Sequence, residues 1–81
     1  MSLRSTHKFK RSYKKLPEDV QRKTDQMLAL LDENPHHPSL RTHKRKGEEG
    51  VWQARLTRDY RIFFLMDGET LTLLDVVAHP K

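Results

Sequence analysis

The residues best equipped for chemistry in this sequence are two arginines in one hairpin. Arg55 lies in the strand candidate Val51–Thr57 and Arg61 near the start of Tyr60–Met66. A guanidinium stays charged at any working pH and grips a phosphate through two parallel N–H donors. Two of them in neighbouring strands repel unless an anion lies between them. Each also has an ordinary reading: Arg61 as a strand-end ion pair to Asp59 or Asp75, and Arg55 as a partner for some other acid. His79, where the last strand ends, titrates near pH 7 and suits proton transfer. Its ordinary reading is a solvated tail residue, and the sequence alone favours that one.

A second basic group runs from Arg41 to Lys46 and holds Arg41, His43, Lys44, Arg45 and Lys46 with no acid among them. Gln53 shares the face of Arg55 in the adjacent strand. The group reads as a contact surface for a phosphate backbone, or as a solvated edge strand whose lysines discourage sheet-to-sheet association. Arg4, Lys8, Lys10, Arg11, Lys14 and Lys15 form a further acid-free stretch, with a counter-surface for an acidic peptide as an additional reading. Over 81 residues, 16 Lys and Arg outweigh 11 Asp and Glu, giving a net charge of +5, which favours polyanions or acidic proteins as partners.

Other chemistries lack their residues. The absence of cysteine removes disulfides and thiolate metal sites. The adjacent His36 and His37 point apart in an extended chain and no acid stands at ligand spacing to the histidines, so no metal and no cofactor is expected. Three glycines form no phosphate-cradling loop. There is no Ser-centred or Cys-centred nucleophile motif. Asp75 is the one acid in an apolar strand, which suits an ion pair with an arginine better than a catalytic carboxylate pair. With no apolar run near the roughly 20 residues of a membrane span and no apolar leader segment, a cytoplasmic protein that does not enter the membrane is expected.

The elements that position these groups follow from periodicity. Phe9 and Tyr13, four apart, share one side of a short helix. Pro17 opens a second helix with Glu18 and Asp19 in its first turn. Leu16, Val20, Thr24, Met27 and Leu31 then keep one helical stripe, widened by Leu28 and Leu30, until Asn34-Pro35 stops it. From Leu40 the period becomes two. Strands are expected at Leu40–Lys46, Val51–Thr57, Tyr60–Met66 and Thr70–Val77, with a turn at Asp67-Gly68 and a short additional edge strand available at Leu3–Thr6. Trp52, Ala54 and Leu56 share the core-facing side of their strand, and Gln53, Arg55 and Thr57 the other. The fold class is therefore α+β: one domain over 1–81, an N-terminal helical hairpin packed on a twisted antiparallel sheet of about four strands.

The ordered set of motifs resembles the RelE/ParE toxin superfamily. The stretches that carry the likeness are Phe9-Lys10-Arg11-Ser12-Tyr13-Lys14-Lys15-Leu16-Pro17, Asn34-Pro35 with Pro38-Ser39-Leu40, and Gly50-Val51-Trp52-Gln53-Ala54-Arg55-Leu56. Asp59-Tyr60-Arg61-Ile62-Phe63-Phe64 and Leu73-Leu74-Asp75-Val76-Val77-Ala78-His79 complete it. The resemblance implies the toxin of a type II toxin–antitoxin system, neutralised by a cognate antitoxin. RelE-like members are metal-independent endoribonucleases that cut mRNA on the ribosome and so inhibit translation. Carried over, Arg55 matches a basic strand position used near the scissile phosphate, Arg61 matches the arginine that follows the aromatic of the next strand, and His79 lies near the basic residue that ends the last strand. Gln53 stands where RelE-type sequences can carry lysine, and no tyrosine follows His79. The resemblance therefore leaves two alternatives: a ParE-like inhibitor of DNA gyrase, and an inactive relative that serves as an antitoxin-binding module.

Overall fold

A computed structural model describes residues 2–45, 47 and 49–78. The chain forms β1 (Ser2–Ser5), α1 (His7–Lys14), α2 (Glu18–Glu33), a 3-10 turn (Pro38–Leu40), β2 (His43–Lys44), β3 (Val51–Arg55), β4 (Tyr60–Asp67) and β5 (Thr70–Ala78). The five strands make one sheet in the order β1-β5-β4-β3-β2. The expected helical hairpin is present. The sheet is mixed rather than purely antiparallel, because the N-terminal edge strand pairs parallel to β5, Leu3 beside Leu71.

The helices form where their start signals stand. Thr6 caps α1, its hydroxyl accepting from the Phe9 N–H at 3.1 Å. Pro17 stands at the N-cap position of α2 without a side-chain capping bond, ahead of the acids Glu18 and Asp19 in its first turn. The stripe Val20, Thr24, Met27 and Leu31 is the buried face of α2. Thr24 is fully buried and satisfies its hydroxyl by donating to the Val20 carbonyl at 2.8 Å. Opposite lie Ala54, Ile62, Phe64, Leu71, Leu73 and Val76, all buried, with Phe9 from α1 and Leu40 from the turn. Both helices therefore cover one face of the sheet.

Two elements depart from simple periodicity. The strand expected over Leu40–Lys46 shrinks to His43–Lys44. Leu40, 1 % exposed, is drawn into the core by the 3-10 turn, and Arg41 takes a left-handed φ of 50°, so the chain bends before it can pair. At the β4–β5 hairpin, Asp67 pairs with Thr70, so the loop is Gly68-Glu69. Gly68 adopts φ 60° at the first loop position, as a glycine-led two-residue hairpin requires. No helix among the described residues is long and apolar enough to cross a membrane.

Candidate nucleic-acid interface

The face of the sheet away from the helices carries the candidate site. The β3–β4 register sets Arg55 directly opposite Arg61, Gln53 opposite Phe63 and Val51 opposite Leu65. Ala54 and Ile62, between them in sequence, are fully buried, so alternation sends Arg55 and Arg61 to the same uncovered face. Both are half-buried. Arg61 Nη1 donates to the carbonyls of Thr57 (2.8 Å) and Tyr60 (2.9 Å) in the hairpin loop. These acceptors anchor the side chain without neutralising it. The ion pair to Asp59 or Asp75 considered for Arg61 does not form among the described residues. The Arg55 guanidinium makes no hydrogen bond or ion pair with any described residue. The two side chains thus leave the same face of the sheet, and neither pairs with a carboxylate among the described residues.

The neighbouring row runs across four strands: His43 pairs with Gln53, Gln53 with Phe63, and Phe63 with Asp75. His43 Nδ1 lies 3.1 Å from the Arg41 carbonyl and Nε2 lies 2.6 Å from Gln53 Nε2. A carbonyl only accepts, so Nδ1 carries the proton and Nε2 accepts from the Gln53 amide. Beyond it, the Arg45 N–H donates to the Val51 carbonyl at 2.7 Å, and the Arg45 guanidinium lies 4.3 Å from the Phe63 ring centroid.

Of the residues singled out in the sequence, the open face therefore gathers Arg45, His43, Gln53, Arg55 and Arg61. Arg41 is exposed at the bend before β2 and contributes its carbonyl to His43. Lys44 departs from this group. It pairs with Trp52, and its Nζ lies 5.6 Å from the indole centroid, on the side of the sheet that bears the core. His36 packs edge-on against the same indole at 5.8 Å. Lys46 and His79 lie outside the described residues. Ala78, the last described residue of β5, pairs with Tyr60, next to Arg61.

The strand pattern missed a bulge. Between Phe63 and Phe64 the β5 partner jumps from Asp75 to Leu73, which leaves Leu74 as an extra residue. Unbroken alternation from buried Leu73 would turn Asp75 into the core. The bulge instead brings both Leu74 and Asp75 to an open cleft of about 510 Å³, lined also by Thr6, Lys8, Arg45, Val51, Phe63 and Val77. Thr6 holds the bulge, its hydroxyl lying 3.0 Å from the Leu73 carbonyl and 3.1 Å from that of Leu74. Asp75 accepts from Ser12 Oγ at 2.5 Å and from the Val76 N–H at 2.9 Å, and Lys8 Nζ stands 3.6 Å away. Its partners are thus a serine and a lysine of α1 rather than an arginine. The one legible signal for this cleft was β4 itself, apolar on both faces.

A family model described as a ParE-like toxin domain matches residues 18–81. The chain belongs to that family. Among solved structures it is similar to the YoeB/ParE toxin from Agrobacterium tumefaciens, at 19% identity and a TM-score of 0.80 over 99% of this chain and 100% of that one. It is similar to the archaeal RelE in its RelE–RelB complex from Pyrococcus horikoshii OT3, at 17% identity and TM-score 0.80 over 95% and 92%. It is also similar to the isolated E. coli RelE toxin, at 17% identity and TM-score 0.79 over 99% and 85%. Comparison with curated sequences gave no match. The ParE-like chain is accordingly a member of the RelE/ParE toxin superfamily, and it shares the helices-on-one-face fold of these toxins.

Proposed function

We propose that this protein is the toxin of a type II toxin–antitoxin system and acts as a ribosome-dependent mRNA endoribonuclease that inhibits translation. The observation that carries the reading is the direct cross-strand pairing of Arg55 and Arg61 on the uncovered face. Like charges held opposite one another destabilise a sheet unless an anion separates them. As the ribose 2′ oxygen bonds to the adjacent phosphorus, losing its proton to water, and the P–O5′ bond breaks, negative charge builds on the phosphate oxygens. Fixed donors that need no reorganisation stabilise that charge best. Arg61, tied through Nη1 to the carbonyls of Thr57, Arg58 and Tyr60, keeps its remaining guanidinium nitrogens for that role. Arg55 supplies the second fork. His79 protonates the leaving 5′ oxygen, while Arg41, His43, Arg45, Lys46 and Gln53 contribute backbone contacts to mRNA and ribosomal RNA; Lys44, on the other side of the sheet, is left out of this set. No step is assigned to a metal or cofactor.

The partner follows from the relatives. The Pyrococcus RelE is seen with RelB and the E. coli YafQ with DinJ, so a cognate antitoxin is the expected protein partner here. The ParE-like description of the matching family supports a second reading, a non-enzymatic block of DNA gyrase. Induced expression with mapping of mRNA 5′ ends separates the two. New ends at codon positions of translated messages, lost in Arg61→Ala, support the nuclease. Intact messages together with inhibited supercoiling by the purified protein refute it in favour of gyrase.

A further inference from the structure

The cleft beside the arginine pair has features that phosphate binding alone does not use. Phe63 is half-buried on the open face, with apolar Val51, Leu74 and Val77 around it. In the strand order, Arg45 approaches this ring from the β2 side and Asp75 from the β5 side. Phe63 and Arg61 are two residues apart on one face of β4, about 7 Å along the strand. That offset is of the same order as the separation between the phosphate and the base of one nucleotide. A flat ring with a guanidinium 4.3 Å from its centroid is a stacking platform that any nucleobase satisfies.

The edge of the cleft adds selectivity. Asp75 Oδ1 is occupied by Ser12 and by the Val76 N–H, whereas Oδ2, among the described residues, pairs with Lys8 alone, at 3.6 Å. A carboxylate accepts and never donates, and it offers about four lone-pair sites. It therefore favours a base edge carrying an exocyclic amine. Uracil flanks its single N–H with two carbonyl oxygens, which oppose the carboxylate.

We infer that this cleft is a nucleobase subsite, taking an amine-bearing base of the nucleotide whose phosphate lies between Arg55 and Arg61. The inference rests on that phosphate assignment. Phe63 and Arg45 stack the base, and Asp75 accepts from its amine.

The test uses the purified full chain and fluorescence anisotropy with 2′-O-methyl hexamers, which lack the attacking hydroxyl. Oligo-A and oligo-C should bind about 5- to 150-fold tighter than an abasic hexamer, with oligo-U between them. Phe63→Leu should abolish the preference for oligo-A over the abasic backbone without changing affinity for the backbone itself. Asp75→Asn, which introduces a donor, should shift preference toward oligo-U and decides the matter if Phe63→Leu does not fold. Wild-type base preference in both variants, or oligo-U bound as tightly as oligo-A and oligo-C by the wild type, overturns the subsite. Arg55→Gln should weaken every hexamer, abasic included. If abasic binding is unchanged in that variant, the phosphate assignment itself fails and the subsite falls with it.

Discussion

Replacing Arg55 by glutamine should make the protein more stable while it weakens the site. The Arg55 guanidinium makes no hydrogen bond or ion pair with a described residue, and Arg55 stands opposite Arg61. The neutral variant therefore removes repulsion and little else. Directly opposite residues have Cβ atoms about 5 Å apart; taking the guanidiniums at about 6 Å, the Coulomb term is roughly 0.7 kcal/mol in a water-like medium. Screening at physiological ionic strength, where the Debye length is about 8 Å, brings it to roughly 0.3 kcal/mol. A partly desolvated site raises it toward about 1 kcal/mol, the upper end for cross-strand pairs. For a domain of this size that range corresponds to a rise of about 1–8 °C in Tm. Melts followed by circular dichroism at about 0.01 M and about 1 M salt should show the gain shrinking as the Debye length falls from about 30 to 3 Å. A saturating phosphate-bearing oligonucleotide should reverse the order: at 100 times Kd it stabilises its binder by about 2.7 kcal/mol, and the wild type binds it better. A lower Tm for Arg55→Gln at low salt, or a gain indifferent to salt, would refute the claim that the two guanidiniums share one anion-ready patch.

Other substitutions test the scaffold around the site. Ser12→Ala removes the 2.5 Å hydrogen bond to the Asp75 carboxylate and should cost about 1.5–3 kcal/mol in urea unfolding; an unchanged midpoint would show that Ser12 does not hold α1 to the bulge. Phe64→Ala, at a fully buried position, should cost about 3–5 kcal/mol, most of the stability of a small domain, read as loss of the cooperative urea transition. Tyr13 donates to Asp25 at 2.7 Å, and this bond, ahead of desolvation and the nearby carboxylate charge, holds its phenol above the ordinary 10.0. Because the folded value is raised, the contribution is complete below about pH 10 and is lost as pH climbs through the folded value. Alkaline melts should therefore lose stability in the wild type that Tyr13→Phe does not lose; parallel curves would count against the bond.

The parts of this protein that local rules govern are legible along the chain. The stripe from Val20 to Leu31 shows a helix and its buried face, since helical side chains recur every 3.6 residues. The alternation through Trp52, Gln53, Ala54 and Arg55, followed by a short turn into Tyr60, set Arg55 and Arg61 on one face, because an antiparallel hairpin fixes its register over a few residues. The rest depends on residues far apart in the chain. β1 pairs with β5, and Thr6 reaches the carbonyls of Leu73 and Leu74 across 67 and 68 positions. Those contacts accompany the bulge that turns Asp75 out to the cleft. The short β2, and with it the separation of Lys44 from His43 and Arg45, follows from burial of Leu40 in a core that α2 and the sheet complete together. A frame shift of one residue leaves no mark in hydrophobic periodicity. It is settled by which distant hydroxyl satisfies the freed carbonyls, and that is decided only when the two ends of the chain meet.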